Sequence, residues 1–208
     1  MILSPFTIAY DTREQLPFSF ADIRIDRKKA FVMTQRRTLP TGDYSIIGYE
    51  ENVCVERKSL ADLYQTLGKG RERFLRELER MQTMDYSAVV IEATWQQIAY
   101  PTYDNPLFYS KMNPNAVIET IRQWEKKRFP KTEWIIAKNR HNAEMITFRL
   151  LLNYWKNTTT PLDTNDNDAS KENNNSYVAG EQAGSLGDVE CACKIRVDGI
   201  GHHRRQTE

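Results

Sequence analysis

The sequence predicts a mixed α/β domain over residues 1–156, followed by a low-complexity tail over 157–208. Three observations lead there. Short β-branched and aromatic runs alternate with segments of helical period. Two of the short runs flank a polar turn and form a hairpin. After Lys156 the composition shifts to Asn, Asp, Thr and Ser, which leaves too little apolar surface for a core. Hydrophobic residues make up 40% of the chain and aromatics 11%, enough for the body to pack.

Taken in order, Phe6–Tyr10 is mostly apolar and reads as a central strand ending in Asp11-Thr12-Arg13-Glu14. Pro17 to Phe20 starts a loop or short helix, and Arg24 to Lys29 is strongly charged. Ala30–Thr34 reads as a second strand. Tyr44–Gly48 and Val53–Glu56 are the third and fourth, joined by the turn Tyr49–Asn52. Ser59 caps a helix that places Leu60, Leu63 and Leu67 on one side. A second helix runs from Arg71 to about Met84, with Phe74, Leu78 and Met81 on its apolar face and Arg73, Arg76 and Arg80 opposite. Tyr86–Glu92 is a buried strand. Trp95 to Tyr109 reads as a lid-like loop whose aromatics pack on the sheet or stack on unpaired bases. Asn115 caps a helix from Ala116 to about Lys127, Thr132–Ala137 is the sixth strand, and Asn142 caps a last helix from Ala143 to about Lys156. That helix is apolar nearly all the way round, which implies deep burial or a partner.

Net charge is only +1, but it is unevenly spread. Up to Lys156 there are 24 Lys and Arg against 19 Asp and Glu, a balance of +5; the remainder has 5 against 9, a balance of −4. A basic body suits a polyanionic partner. Three cysteines, Cys54, Cys191 and Cys193, give no disulfide framework and fit a reducing compartment. With no signal peptide and no apolar run long enough to span a bilayer, the expected location is the cytoplasm or nucleoid, away from membranes. Cys191 and Cys193 with His202 and His203 have zinc-binding residue types but lie in the tail, without a frame.

The chemistry gathers around Val55–Asp62. In a hairpin, Asp43 on one strand meets Glu56 and Lys58 on the other. Strand alternation turns Glu56 and Lys58 to one face and Arg57 to the other. Two carboxylates holding a divalent ion, with a lysine beside them, can make water nucleophilic and relieve phosphate charge. Oxygen ligands with open water positions suit Mg²⁺ or Mn²⁺. A solvated hairpin end with ordinary surface charges has the same local pattern.

The wider pattern is more specific. Gly42-Asp43, Glu56-Arg57-Lys58 and Asp62 resemble the GD…ERKxxxD signature of the XPF-type structure-specific endonucleases, which have a restriction-endonuclease-like fold. Asp11–Glu14 and Lys69-Gly70-Arg71 also resemble that family, so the likeness covers roughly residues 6–155. It implies an endonuclease acting on branched or flap DNA. Asp43 and Glu56 would be metal ligands, with Asp11 a third acidic group, and Lys58 the catalytic lysine. Arg57 and Asp62 match positions needed for activity. Arg13 and Glu14 would sit at the rim, and Arg71 and Arg73 are candidates for phosphate contact, although Arg73 reads equally as a solvated helix face. The family pairs its nuclease domains, so the last helices are expected to form a homodimer or heterodimer surface. The alternative is a catalytically silent DNA-structure-binding subunit; such partners lose acids or the lysine, and here the motif is complete.

Overall fold

The structure, a computed structural model, describes residues 1–101 and 110–159. Its strands are β1 (Ile2–Leu3), β2 (Ile8–Asp11), β3 (Arg24–Ile25), β4 (Lys28–Phe31), β5 (Thr34–Arg37), β6 (Tyr44–Ile46), β7 (Val53–Lys58), β8 (Tyr86–Ile91) and β9 (Thr132–Ile136). Its helices are α1 (Leu60–Leu67), α2 (Arg71–Met81), α3 (Trp95–Ala99), α4 (Pro114–Gln123) and α5 (Arg140–Thr159). A π-helical turn, Trp124–Arg128, prolongs α4.

Six strands form the main sheet in the order β5-β2-β6-β7-β8-β9. The sheet is mixed: β2 runs antiparallel to β6 and β6 to β7, while β5, β8 and β9 run parallel to their neighbours. Parallel pairing of β7 with β8 requires a crossover, which α1 and α2 supply. The expected hairpin is present, with Tyr44 opposite Val55.

Alternation along β7 divides the interior in two. Cys54 faces a core with Leu63, Leu67, Phe74, Leu78, Met81, Val117, Ile121 and Trp124 from α1, α2 and the α4 segment. Val53 and Val55 face the other core, built from Tyr44, Ile46, Phe18 and Phe20 with Phe148, Leu151 and Leu152 of α5. The remaining apolar residues of α5, Met145, Ile146, Leu150, Tyr154 and Trp155, pack against this same core. The chain's own sheet therefore covers one side of α5 fully and these five residues in part.

Several expected boundaries change. The run Ala30–Thr34 is not one strand: the chain leaves the small sheet β1-β4-β3 after Phe31 and enters the main sheet at Thr34. The charged stretch before it forms a β3–β4 hairpin, turning through Asp26 and Arg27, both at positive φ. Trp95–Ala99 is helical, because Thr94 and Gln97 form a reciprocal capping box. Tyr100 is exposed rather than packed on the sheet, and Tyr103, Phe108 and Tyr109 lie outside the described residues. Helix α4 starts earlier than expected: Asn113 caps it and Pro114 takes the first turn, where its missing N–H is no loss. Asn139 rather than Asn142 caps α5, accepting from the Asn142 amide at 2.8 Å. The tail, with Cys191, Cys193, His202 and His203, also lies outside the described residues. No helix among the described residues is long and apolar enough to cross a membrane.

Candidate active site

Strand pairing brings three acids close together. Tyr10 pairs with Tyr44 and Tyr44 with Val55, and Asp11, Asp43 and Glu56 are the chain neighbours of these three partners. Backbone bonds hold this row together: the Asp11 amide donates to Asp43 O at 2.8 Å, and the Asp43 amide to Val55 O at 3.0 Å. Gly42 makes the approach possible. It has φ of 75°, and a Cβ there would lie 2.9 Å from that of Cys54. Gly48 also has positive φ (88°) but faces open space. Gly42→Ala is therefore expected to destabilise by at least ~2 kcal/mol, against about 1 kcal/mol for Gly48→Ala. Denaturant melts of the two variants check this, and equal losses would refute the close-contact reading.

Glu56 and Lys58 share a face and form a buried ion pair, and the Lys58 ammonium lies 4.7 Å from the centre of the Phe74 ring. Burial works against the Lys58 charge, but Glu56, helped by Glu77 and Asp43, outweighs it and holds the lysine above its ordinary range. Asp43 accepts from the Arg57 amide at 2.8 Å. Burial, then the charge of Glu56, pushes its carboxyl well above the usual carboxylate range, despite that amide and Lys58.

A residue outside the sequence motif completes the cluster. Glu77 of α2 lies against Glu56, and burial together with that neighbour pushes it up to about 7. Its signal was present in the helical spacing, three residues after Phe74 and four before Met81, inside the apolar stripe.

Other expected site residues take different places. Asp11 does not turn toward Glu56. Its Oδ1 accepts from the Arg13 amide and Nε at 2.8 and 2.6 Å, and its Oδ2 from Arg13 Nη2 and the Leu39 amide at 3.0 and 2.8 Å. Burial opposes ionisation of Asp11, but these donors prevail and lower its pKa. Its role here is to aim Arg13, whose side chain is 69% exposed. Asp62 is exposed and belongs to the α1 cap: Ser59 Oγ donates to its carboxylate at 2.6 Å and accepts from its amide at 3.1 Å. Arg71 stacks over Trp124 at 4.7 Å, and Arg73 is exposed.

Arg57 points to the opposite face, as alternation requires, and is buried there between Glu14 and Glu92, with Nε at 3.9 and 3.5 Å from their carboxylates. Glu14 thus faces inward rather than forming a rim. Arg140 shares Glu92 and also donates to Leu16 O and Pro17 O, and both arginines lie over Phe18. Arg57 therefore joins the loop after β2, the end of β8 and the start of α5 beneath the face that carries Glu56 and Lys58.

The acids fit a divalent cation. Glu56 gives one oxygen to Lys58, while its Oε2 is buried with no hydrogen-bond donor. Glu77 supplies none unless one of the two carboxyls is protonated. An orphaned carboxylate oxygen beside a second, half-buried acid is a site where a cation relieves both desolvation and repulsion. Among the described residues no group of three or more His, Cys, Asp or Glu is arranged to hold a metal by itself. A small hard ion that keeps several waters suits two carboxylates.

A family model of the ERCC4 domain matches residues 10–130, more than half of the chain and all of this cluster. The chain belongs to the ERCC4 domain family. Its ERCC4 domain has the XPF-type nuclease fold: the solved structure of XPF from Aeropyrum pernix in complex with DNA aligns with a TM-score of 0.52 at 13% identity, covering 76% of this chain and 68% of that one. A second structure of XPF from Aeropyrum pernix aligns with a TM-score of 0.49 at 14% identity, covering 75% of this chain and 66% of that one. The ERCC4-domain chain thus spans about two thirds of the length of these structures. No curated protein matches it.

Proposed function

We propose that this ERCC4 domain is a divalent-metal-dependent endonuclease that hydrolyses phosphodiester bonds in branched, flap or fork DNA. The observation that carries the reading is the buried Glu56–Lys58 pair beside the half-buried Asp43, with Glu56 Oε2 lacking any donor. A buried acid pair destabilises a fold unless it serves a ligand. Asp43 and Glu56 would hold Mg²⁺ or Mn²⁺, which when bound supplies a more acidic water and charge relief at the phosphate.

The chain's own groups do the rest. Lys58 carries a proton held in place by Glu56 and Phe74, so its ammonium is positioned to orient the attacking water and meet developing negative charge. Arg13, aimed by Asp11 and exposed, is placed to take a phosphate oxygen. Arg57 positions the β7 strand from behind, and Asp62 fixes the turn into α1. Arg71 stays available along its guanidinium edge while its face stacks on Trp124. In this reading residues 1–156 are the nuclease domain, 157–208 a tail, and the protein works in the cytoplasm or on the nucleoid. Pairing through α4 and α5 rests on family resemblance, because the α5 side chains already have their own core.

Labelled flap, fork, nicked and plain duplex DNA, each with and without Mg²⁺ or Mn²⁺, test the proposal. Metal-dependent cutting at the branch is expected. Specific binding without cutting under every metal would favour a silent DNA-structure-binding subunit.

A further inference from the structure

The row of acids does not end at Asp11. Edge strand β5 lies parallel to β2, and Arg37 is the register partner of Asp11. Arg37 thus flanks Asp11, whose amide bonds to Asp43 O just before β6, and Asp43 in turn accepts from the Arg57 amide next to Glu56 on β7. Residues paired side by side point to the same face, so Arg37 shares the face of the acids.

The cations around the site differ in what they already hold. Lys58 is on Glu56, Arg13 on Asp11, Arg57 on Glu14 and Glu92, Arg36 on Thr12 O, and Arg71 over Trp124. Arg37 is exposed and, among the described residues, its side chain has neither hydrogen bond nor ion pair. Its surroundings in sequence are also free of opposing charge: residues 27–42 contain no Asp or Glu. An exposed guanidinium with no protein partner, level with a phosphodiester-cutting site, matches the geometry of a backbone phosphate contact.

We propose that Arg37 binds a phosphate of the cleaved DNA strand a short distance from the scissile one, so that the strand crosses the sheet edge from β7 toward β5. At ~4.8 Å per strand, the Arg37 backbone lies about 10 Å from that of Asp43. Successive phosphates of one strand are at least ~3.4 Å apart along the helix axis, so the contact falls no more than about three nucleotides away. This inference rests on the nuclease reading and gives it a direction across the sheet. A charged edge strand also discourages pairing with other chains, and the test separates that role from DNA contact.

The experiment measures anisotropy of labelled fork DNA with the full chain, without metal, over a salt series. Arg37→Gln is expected to weaken binding roughly threefold to tenfold and lower the slope of log K against log salt by about one; Arg37→Lys restores most of the slope. Lys28→Gln, on the small sheet, provides the comparison and leaves binding unchanged. Unchanged affinity and slope in Arg37→Gln, with self-association seen by sedimentation, would overturn the proposal in favour of edge protection. A wild type that binds but never cuts would remove the catalytic reading while leaving the slope comparison decisive for Arg37. A wild type that does not bind DNA would remove both.

Discussion

Lys58→Ala is expected to lower metal-supported cleavage by roughly a hundredfold to ten-thousandfold, the range for losing a preorganised charged group at a reacting centre. The same change strips the cation from a cluster containing Glu56, Asp43 and Glu77. Breaking a buried ion pair from one side costs about 3–5 kcal/mol, so the metal-free variant should also melt earlier. Lys58→Arg separates the two effects. It keeps the charge and restores most of the melting temperature, but its planar fork cannot reproduce the point contact of the ammonium with Glu56, so activity stays low. Full activity in either variant, measured as initial rates on fork DNA, would remove Lys58 from the mechanism.

The second large effect is at Asp43. Asp43→Asn retains the acceptor for the Arg57 amide and removes one of two crowded negative charges. Cleavage should fall by a hundredfold or more, roughly, with one ligand weakened. Unlike a disruptive change, the metal-free variant should melt at a higher temperature than the wild type, because buried like charges no longer repel. The wild type should gain about 2.7 kcal/mol from metal at a hundredfold excess over Kd, and the variant far less. The pH dependence has a definite sign. Glu77 moves from its ordinary 4.5 to about 7 in the fold, so across that window the native state keeps a proton that the unfolded chain has lost. Metal-free stability therefore falls as pH rises from 4.5 through about 7, and metal, which needs ionised carboxylates, stabilises most at the upper end. An Asp43→Asn protein that melts lower than wild type and still responds fully to metal would contradict this account.

Much of the site was legible because strand pairing is a local code. Period-two alternation separated Glu56 and Lys58 from Arg57, and a polar turn between two apolar runs set the hairpin that delivers Asp43. The central strands and the order of the helices followed from the same reasoning. What stayed hidden depends on tertiary distance. Glu77 reaches the acids from a helix more than twenty residues after Glu56, and counting exposed arginines on α2 hid its place in the apolar stripe. Asp11 was legible as an acid at the right level, but not its capture by Arg13 and Leu39. The β3–β4 hairpin was masked because its turn uses Asp26 and Arg27 in left-handed conformation, where glycine is the usual sign. Sequence also cannot divide the apolar girth of α5 between the residues its own sheet buries and those it covers only in part.

The tight approach of Gly42 to Cys54 also bears on how the site assembles. A slip of one residue between β6 and β7 would rotate Glu56 and Lys58 toward α5 and put Arg57 among the acids. It would also bring β-branched Val53 or Val55 against Gly42, where there is room only for the narrower Cys54. The glycine that positions the first carboxylate thus acts as a keyway for strand alignment. Misaligned hairpins meet a steric penalty at this point in addition to the cost of turning the acids and the lysine to the wrong face.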